Sequence, residues 1–289
     1  MHPAPSIILF STLSGLGFGL LAMLGLGYPE VDGWVAFVFF ALGFALAGGG
    51  LLSSTFHLGH PERALKAFTQ WRSSWLSREA WTASAALGVL GFYAAAIVLF
   101  GTRVPVLGWI GAALALLTVF TTSMIYTQLR TVPRWNHWST PVLFLGYAVA
   151  GGSLLAGQIT AAAVLLAAVG AIQLAGWADQ TRRETASETT LATATGLGGL
   201  GRVRAFEPPH TGSNYLTNEM VFRVGRKHAQ KLRAVAFGLA IVVPVILLLL
   251  PFSHFLAAIA VLSHLAGVIT QRWLFFAEAR HVVGLYYGR

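Results

Sequence analysis

His57 and Glu79 stand at the two ends of the densest polar stretch of the chain. It runs His57-Leu58-Gly59-His60-Pro61-Glu62-Arg63-Ala64-Leu65-Lys66-Ala67-Phe68 and on through Trp71-Arg72-Ser73-Ser74-Trp75-Leu76-Ser77-Arg78-Glu79. An imidazole titrates near neutral pH, and a carboxylate beside it can exchange protons with water. Such a pair suits a redox step in which a quinone gains or loses two protons with two electrons. Plainer roles exist for the same residues: His57 can cap the preceding helix, and Glu79 can pair with Arg78 or Arg72. Tyr126 could supply a third hydrogen bond or belong to an ordinary interfacial aromatic belt.

The elements that must position these residues are membrane spans. No charged residue occurs between Arg134 and Asp179, or between Arg233 and Arg272. Each gap is about twice the roughly 20 apolar residues that one span needs. Hydrophobic residues make up 56% of the chain and charged ones 10%, far below the roughly 25% charged of a soluble domain. The expected fold is an all-α polytopic helix bundle forming a single integral membrane domain, 1–289. About eight spans are expected, near 6–27, 34–55, 80–101, 106–127, 140–157, 161–178, 234–251 and 255–276. The first is expected to stay as a span, because no basic n-region precedes it. Pro61 can open a short helix placing Leu65, Phe68 and Trp71 on one face, so 56–79 reads as an interfacial loop and helix.

The charges order the bundle across the bilayer. Of the 19 Lys and Arg residues, 18 fall in the termini, the ends of the spans beside them, or the 2–3, 4–5 and 6–7 loops. Arg103 stands alone on the other side, beside Glu30 and Asp32. By the positive-inside rule the termini and long loops are cytoplasmic. The net charge of +9 then reports placement against the membrane, not nucleic-acid binding. The 179–233 segment is long and basic. Its glycines, Gly196 to Gly201, are not followed by the Lys-Ser or Lys-Thr of a phosphate loop, so it reads as a docking surface for another protein. With no cysteine, the chain can offer no thiolate to zinc or an iron–sulfur cluster. His254 and His264 form no matched pair for a haem, so no metal site is expected, and His264 reads as a hydrogen bond between helices.

Several stretches resemble the membrane-anchor subunits of dimethyl-sulfoxide-reductase-type molybdoenzymes. They are His57-Leu58-Gly59-His60-Pro61-Glu62-Arg63-Ala64, Ser74-Trp75-Leu76-Ser77-Arg78-Glu79, Tyr126-Thr127-Gln128-Leu129-Arg130-Thr131-Val132-Pro133-Arg134-Trp135 and Arg272-Trp273-Leu274-Phe275-Phe276. The resemblance implies a three-subunit complex of the bacterial inner membrane. A molybdopterin catalytic subunit and an iron–sulfur electron-transfer subunit would carry the metals, and the anchor would bind ubiquinone or menaquinone. Carried over residue by residue, His57 matches the quinone-site histidine and Glu79 the functional acid. Arg63 and Tyr126 are expected to border the quinone, and Arg72, Arg130 and Arg134, together with Arg63, to face the iron–sulfur subunit. The inward-facing His57 side, with the terminal Trp273–Val283 stretch, looks most like the cytoplasm-facing sulfite-oxidising branch.

Three rival readings remain. One is a quinol-oxidising anchor for a reductase of dimethyl sulfoxide, thiosulfate or polysulfide. Another is a secondary transporter, against which the nearly charge-free spans argue. The third is a purely structural anchor, with quinone bound elsewhere.

Overall fold

The structure is a computed structural model and describes residues 1–56, 60–180, 182, 189–207, 209–210, 212, 214–221 and 228–287. The long helices are α1 (Pro5–Gly25), α2 (Gly33–Thr55), α3 (Trp75–Phe100), α4 (Pro105–Thr127), α5 (Ser139–Leu155), α6 (Ile159–Ala178), α7 (Ala229–Leu249) and α8 (His254–Ala277). Seven are long and apolar enough to cross a membrane, and α5 is an apolar helix of 17 residues, at the short end of the roughly 17–25 that span. The chain is thus a polytopic membrane helix bundle.

Helix α1 is the axis. It packs on α2, α4, α5 and α8, and 72% of its most apolar stretch is buried against 28% for α2. Small residues make this possible. A side chain at Gly19 would run into the Ala148 carbonyl, and one at Gly152 into the Gly19 backbone. Helices α1 and α5 therefore touch backbone to backbone, an approach that excludes lipid.

Helix α7 is interrupted by a π-helical turn, Gly238–Val242. Pro244 explains it: proline has no N–H to give the carbonyl of residue 240, four positions back. That freed Ala240 carbonyl accepts a hydrogen bond from His264 Nδ1 of α8 at 2.7 Å, and Ser263 Oγ bonds Leu239 O at 2.8 Å. The expected role of His264 as a link between helices is what the structure displays.

Both chain ends meet at one face. The Met1 ammonium bonds Ala279 O at 2.7 Å, and Arg134 of the 4–5 loop pairs with Glu278 just past α8. At the opposite face Arg103 pairs with Asp32 at 2.9 Å and Glu30 at 3.2 Å. The first of these is the basic face. Within 179–233 the described residues include a capped helical turn, Leu191–Thr195. The apolar side chains of Leu200 and Phe206 are exposed there.

Candidate functional site

The segment between α2 and α3 is fastened to the first turns of α3. Pro61 opens a 3₁₀ helix, Pro61–Phe68. Leu65 and Phe68 share a face of it, as residues three apart do in a 3₁₀ helix. Trp71 lies beyond its end, so the expected three-residue face is shortened to two. Trp81 Nε1 donates to Phe68 O at 3.0 Å, and Ser77 Oγ donates to Ala67 O. Arg78 spans back to Trp71 O at 3.0 Å and Arg72 O at 2.7 Å while lying 4.2 Å over the Trp75 ring. Its donors are thus used in shaping this segment.

Glu79 follows one residue later and turns the other way. It is buried and accepts the Thr122 hydroxyl from α4. Neither Arg78 nor Arg72 pairs with it among the described residues, so the plain surface-pair role is replaced by an internal bond. Thr122 belongs to a run of hydroxyls, Thr118, Thr121, Thr122 and Ser123, on an otherwise apolar helix. Thr82 of α3 meets Thr121 of α4 at 3.2 Å, so α3 and α4 share a polar seam.

Tyr126, one helical turn beyond Thr122, is buried rather than interfacial. It packs edge-on against Trp135 at 5.4 Å, Phe275 at 5.5 Å and Phe276 at 5.5 Å, and against Phe144 at 5.7 Å. This aromatic cluster joins α4, α5 and α8 at the basic face. His57 lies outside the described residues.

The arginines divide into two groups. Arg63, Arg72 and Arg130 are exposed. Arg134 is not: its side chain is 10% exposed and pairs with Glu278, which also takes Arg233 Nη2 at 2.7 Å. The expectation of Arg134 as a docking residue gives way to an internal clamp. The reason is that Val132 and Trp135 beside it are drawn into the core, with Trp135 Nε1 bonding Phe275 O at 2.9 Å.

Sequence reasoning passed over Arg272 as a site residue. It is 2% exposed in α8, its guanidinium lies 3.7 Å from the Phe144 ring centre, and its Nε and Nη1 have no hydrogen-bond partner among the described residues. Its signal was present: it is the first charge after the empty stretch that begins at Arg233. Among the described residues no three His, Cys, Asp or Glu side chains gather as a metal site.

Comparison with known proteins agrees with this architecture. The family described as "DMSO reductase anchor subunit (DmsC)" matches residues 5–288. A sulfite dehydrogenase subunit of Allochromatium vinosum is 33% identical, over 99% of this chain and 99% of its own length. No solved structure matches the chain. From residue 5 to residue 288, the chain belongs to the family of DMSO reductase anchor subunits.

Proposed function

We propose that this membrane anchor passes electrons between an iron–sulfur subunit and the membrane quinone pool, in the direction from sulfite to quinone. The observation that carries the reading is Glu79: a buried carboxylate, held by Thr122, beside the segment stapled to α3. On the outer side of that segment a groove of about 390 Å³ opens between Trp71 and Trp81. Its size is in the range of ligand pockets, and two indoles suit an aromatic headgroup arriving through lipid, so the residues fit a quinone. A bound quinone would supply a two-electron, two-proton couple.

In this reading His57 hydrogen-bonds a carbonyl oxygen and exchanges its proton. Glu79 relays protons, and Tyr126 braces the wall behind it. Arg63 contacts the quinone, while Arg72 and Arg130, exposed on the basic face, meet the iron–sulfur subunit along with the apolar side chains of Leu200 and Phe206. The molybdenum pterin belongs to the catalytic partner. The charge pattern supports a cytoplasmic basic face, and the sulfite dehydrogenase relative supports the direction. The family's description favours a second reading, a quinol-oxidising anchor of a reductase.

The test is His57→Ala in the assembled complex. Quinone-linked turnover should fall by about 10²–10⁴-fold, the usual share of an acid–base group. Turnover with a soluble electron carrier should survive. Near-normal quinone reduction by the assembled variant would remove His57 from the site.

A further inference from the structure

At the basic face a cavity of about 40 Å³ lies between α5, α6 and α8. Arg134, Thr140, Gln180 and Arg272 line it, and among the described residues no carboxylate does. The cavity is shallow. Helix α8 has 24 residues and is about 36 Å long at 1.5 Å per residue, more than the roughly 30 Å hydrocarbon core. Arg272 stands five residues before its end at Ala277, about 7 Å inside, which is the level where acyl chains meet headgroups. Leu143 and Trp177 complete the wall, beside Val142 and Leu174, whose apolar side chains are exposed on the outside of the bundle.

This corner is short of negative charge. Glu278 pairs with Arg134 and also with Arg233, whose Nη2 bonds Gln180 of the cavity wall. Arg272 adds a third guanidinium. It is buried, and its Nε and Nη1 have no hydrogen-bond partner among the described residues. The Phe144 ring, 3.7 Å away, meets the face of the guanidinium and leaves its in-plane N–H groups unanswered. A buried charge without a partner is among the most expensive arrangements in a protein.

We propose that this cavity binds the phosphate group of an anionic phospholipid. A guanidinium is matched to phosphate because its planar N–H donors meet two oxygens at once. The size fits a phosphodiester that enters by one edge. At roughly 10–15 Å³ for each water-sized atom, the cavity takes about three. Two are the free oxygens of the phosphodiester, placed against Arg272. The third is a water for Gln271 Oε1, which is buried and has no donor among the described residues, while Gln271 Nε2 is already given to Gln173 Oε1 at 3.0 Å. The rest of the lipid stays outside, its headgroup by Trp177 and its chains along α5 and α6 past Val142 and Leu174. Charge sets the class of lipid. A zwitterionic headgroup would bring an ammonium to a corner that holds Arg134, Arg233 and Arg272, and an anionic one brings none. Basic pockets between spans are a general form of lipid-headgroup site. This one stands apart from the 57–79 segment and does not depend on quinone binding there.

The test uses the whole complex, stripped of lipid in detergent and then given phosphatidylglycerol, with bound lipid counted by native mass spectrometry. Wild type should hold one phosphatidylglycerol more than either of two variants, and neither phosphatidylcholine nor inorganic phosphate should displace it. Arg272→Gln removes the charge and should weaken that binding roughly tenfold or more, the usual weight of a hydrogen bond to a charged group. Gly176→Leu leaves every charge in place. Gly176 lines the cavity, a Cβ there meets nothing within 4 Å, and the larger side chain takes up the space. It should lose the same lipid while soluble-carrier turnover holds, which shows that the variant has assembled. Equal lipid counts in wild type and assembled Gly176→Leu would overturn the proposal. Exchange of the lipid for phosphatidylcholine would do the same, and so would its displacement by inorganic phosphate, which would make the cavity a site for a free anion.

Discussion

Thr122 on α4 gives its hydroxyl to the Glu79 carboxylate on α3, which places the acid inside the bundle rather than on its rim. Thr122→Val keeps the shape and removes the donor. A hydrogen bond to a charged group contributes about 1.5–3 kcal/mol, so Glu79 should be held less firmly. Quinone-linked turnover should drop about tenfold or more, and Thr122→Ser should restore most of it. Steady-state assays of the assembled complex against a soluble carrier separate this from a folding defect.

Glu278 is the shared anion of Arg134 and Arg233, and so ties the 4–5 loop to the start of α7 and the end of α8. Glu278→Ala leaves two partly buried guanidiniums without it. Removing one partner of a buried pair costs about 3–5 kcal/mol. The Tm of the detergent-solubilised protein should fall clearly. Arg130→Glu, at an exposed position, should leave Tm nearly unchanged yet loosen the partner subunits as salt is raised, since exposed charges are screened.

Membrane topology follows from the charge distribution. A reporter fused after Arg289 or within 185–200 should read as cytoplasmic, and one within Pro29–Asp32 as lying on the opposite side. An exported C-terminus would reverse the proposed orientation and with it the preference for sulfite oxidation.

His264→Ala should cost stability and nothing spectroscopic. The Ala240 carbonyl, already without its helical donor at Pro244, would lose its partner at a cost of about 1–3 kcal/mol. Isolated chain and variant should show the same absorption spectrum. A b-type haem band that vanished on substitution would show that His264 is a ligand.

His281 follows α8 and accepts Val283 N–H at Nδ1, 3.0 Å away. Burial, and then the positive N-terminus near it, lower its pKa from the ordinary value. The neutral form is the one the fold favours. Its contribution is therefore complete above the unfolded value near 6.5 and is lost as pH falls below it. Thermal melts should lose stability between pH 7 and 5 by a component that His281→Gln removes.

The sequence alone determined the long apolar helices, their approximate ends and the family. Apolar length sets where a chain can cross a bilayer, and the scarcity of charge makes each break visible. The tight turn after α5 was legible from block length, and Gly157, with φ +68°, makes it. What only the tertiary structure decided is which polar groups meet. Thr122 and Glu79 are 43 residues apart, and Arg134 and Glu278 are 144. Helices that are apolar all round carry no face that marks their inward side. Their rotation is set by where small residues such as Gly19 and Gly152 let backbones touch, and that packing turns Glu79 to Thr122, Arg134 to Glu278 and Arg272 to the cavity beside it.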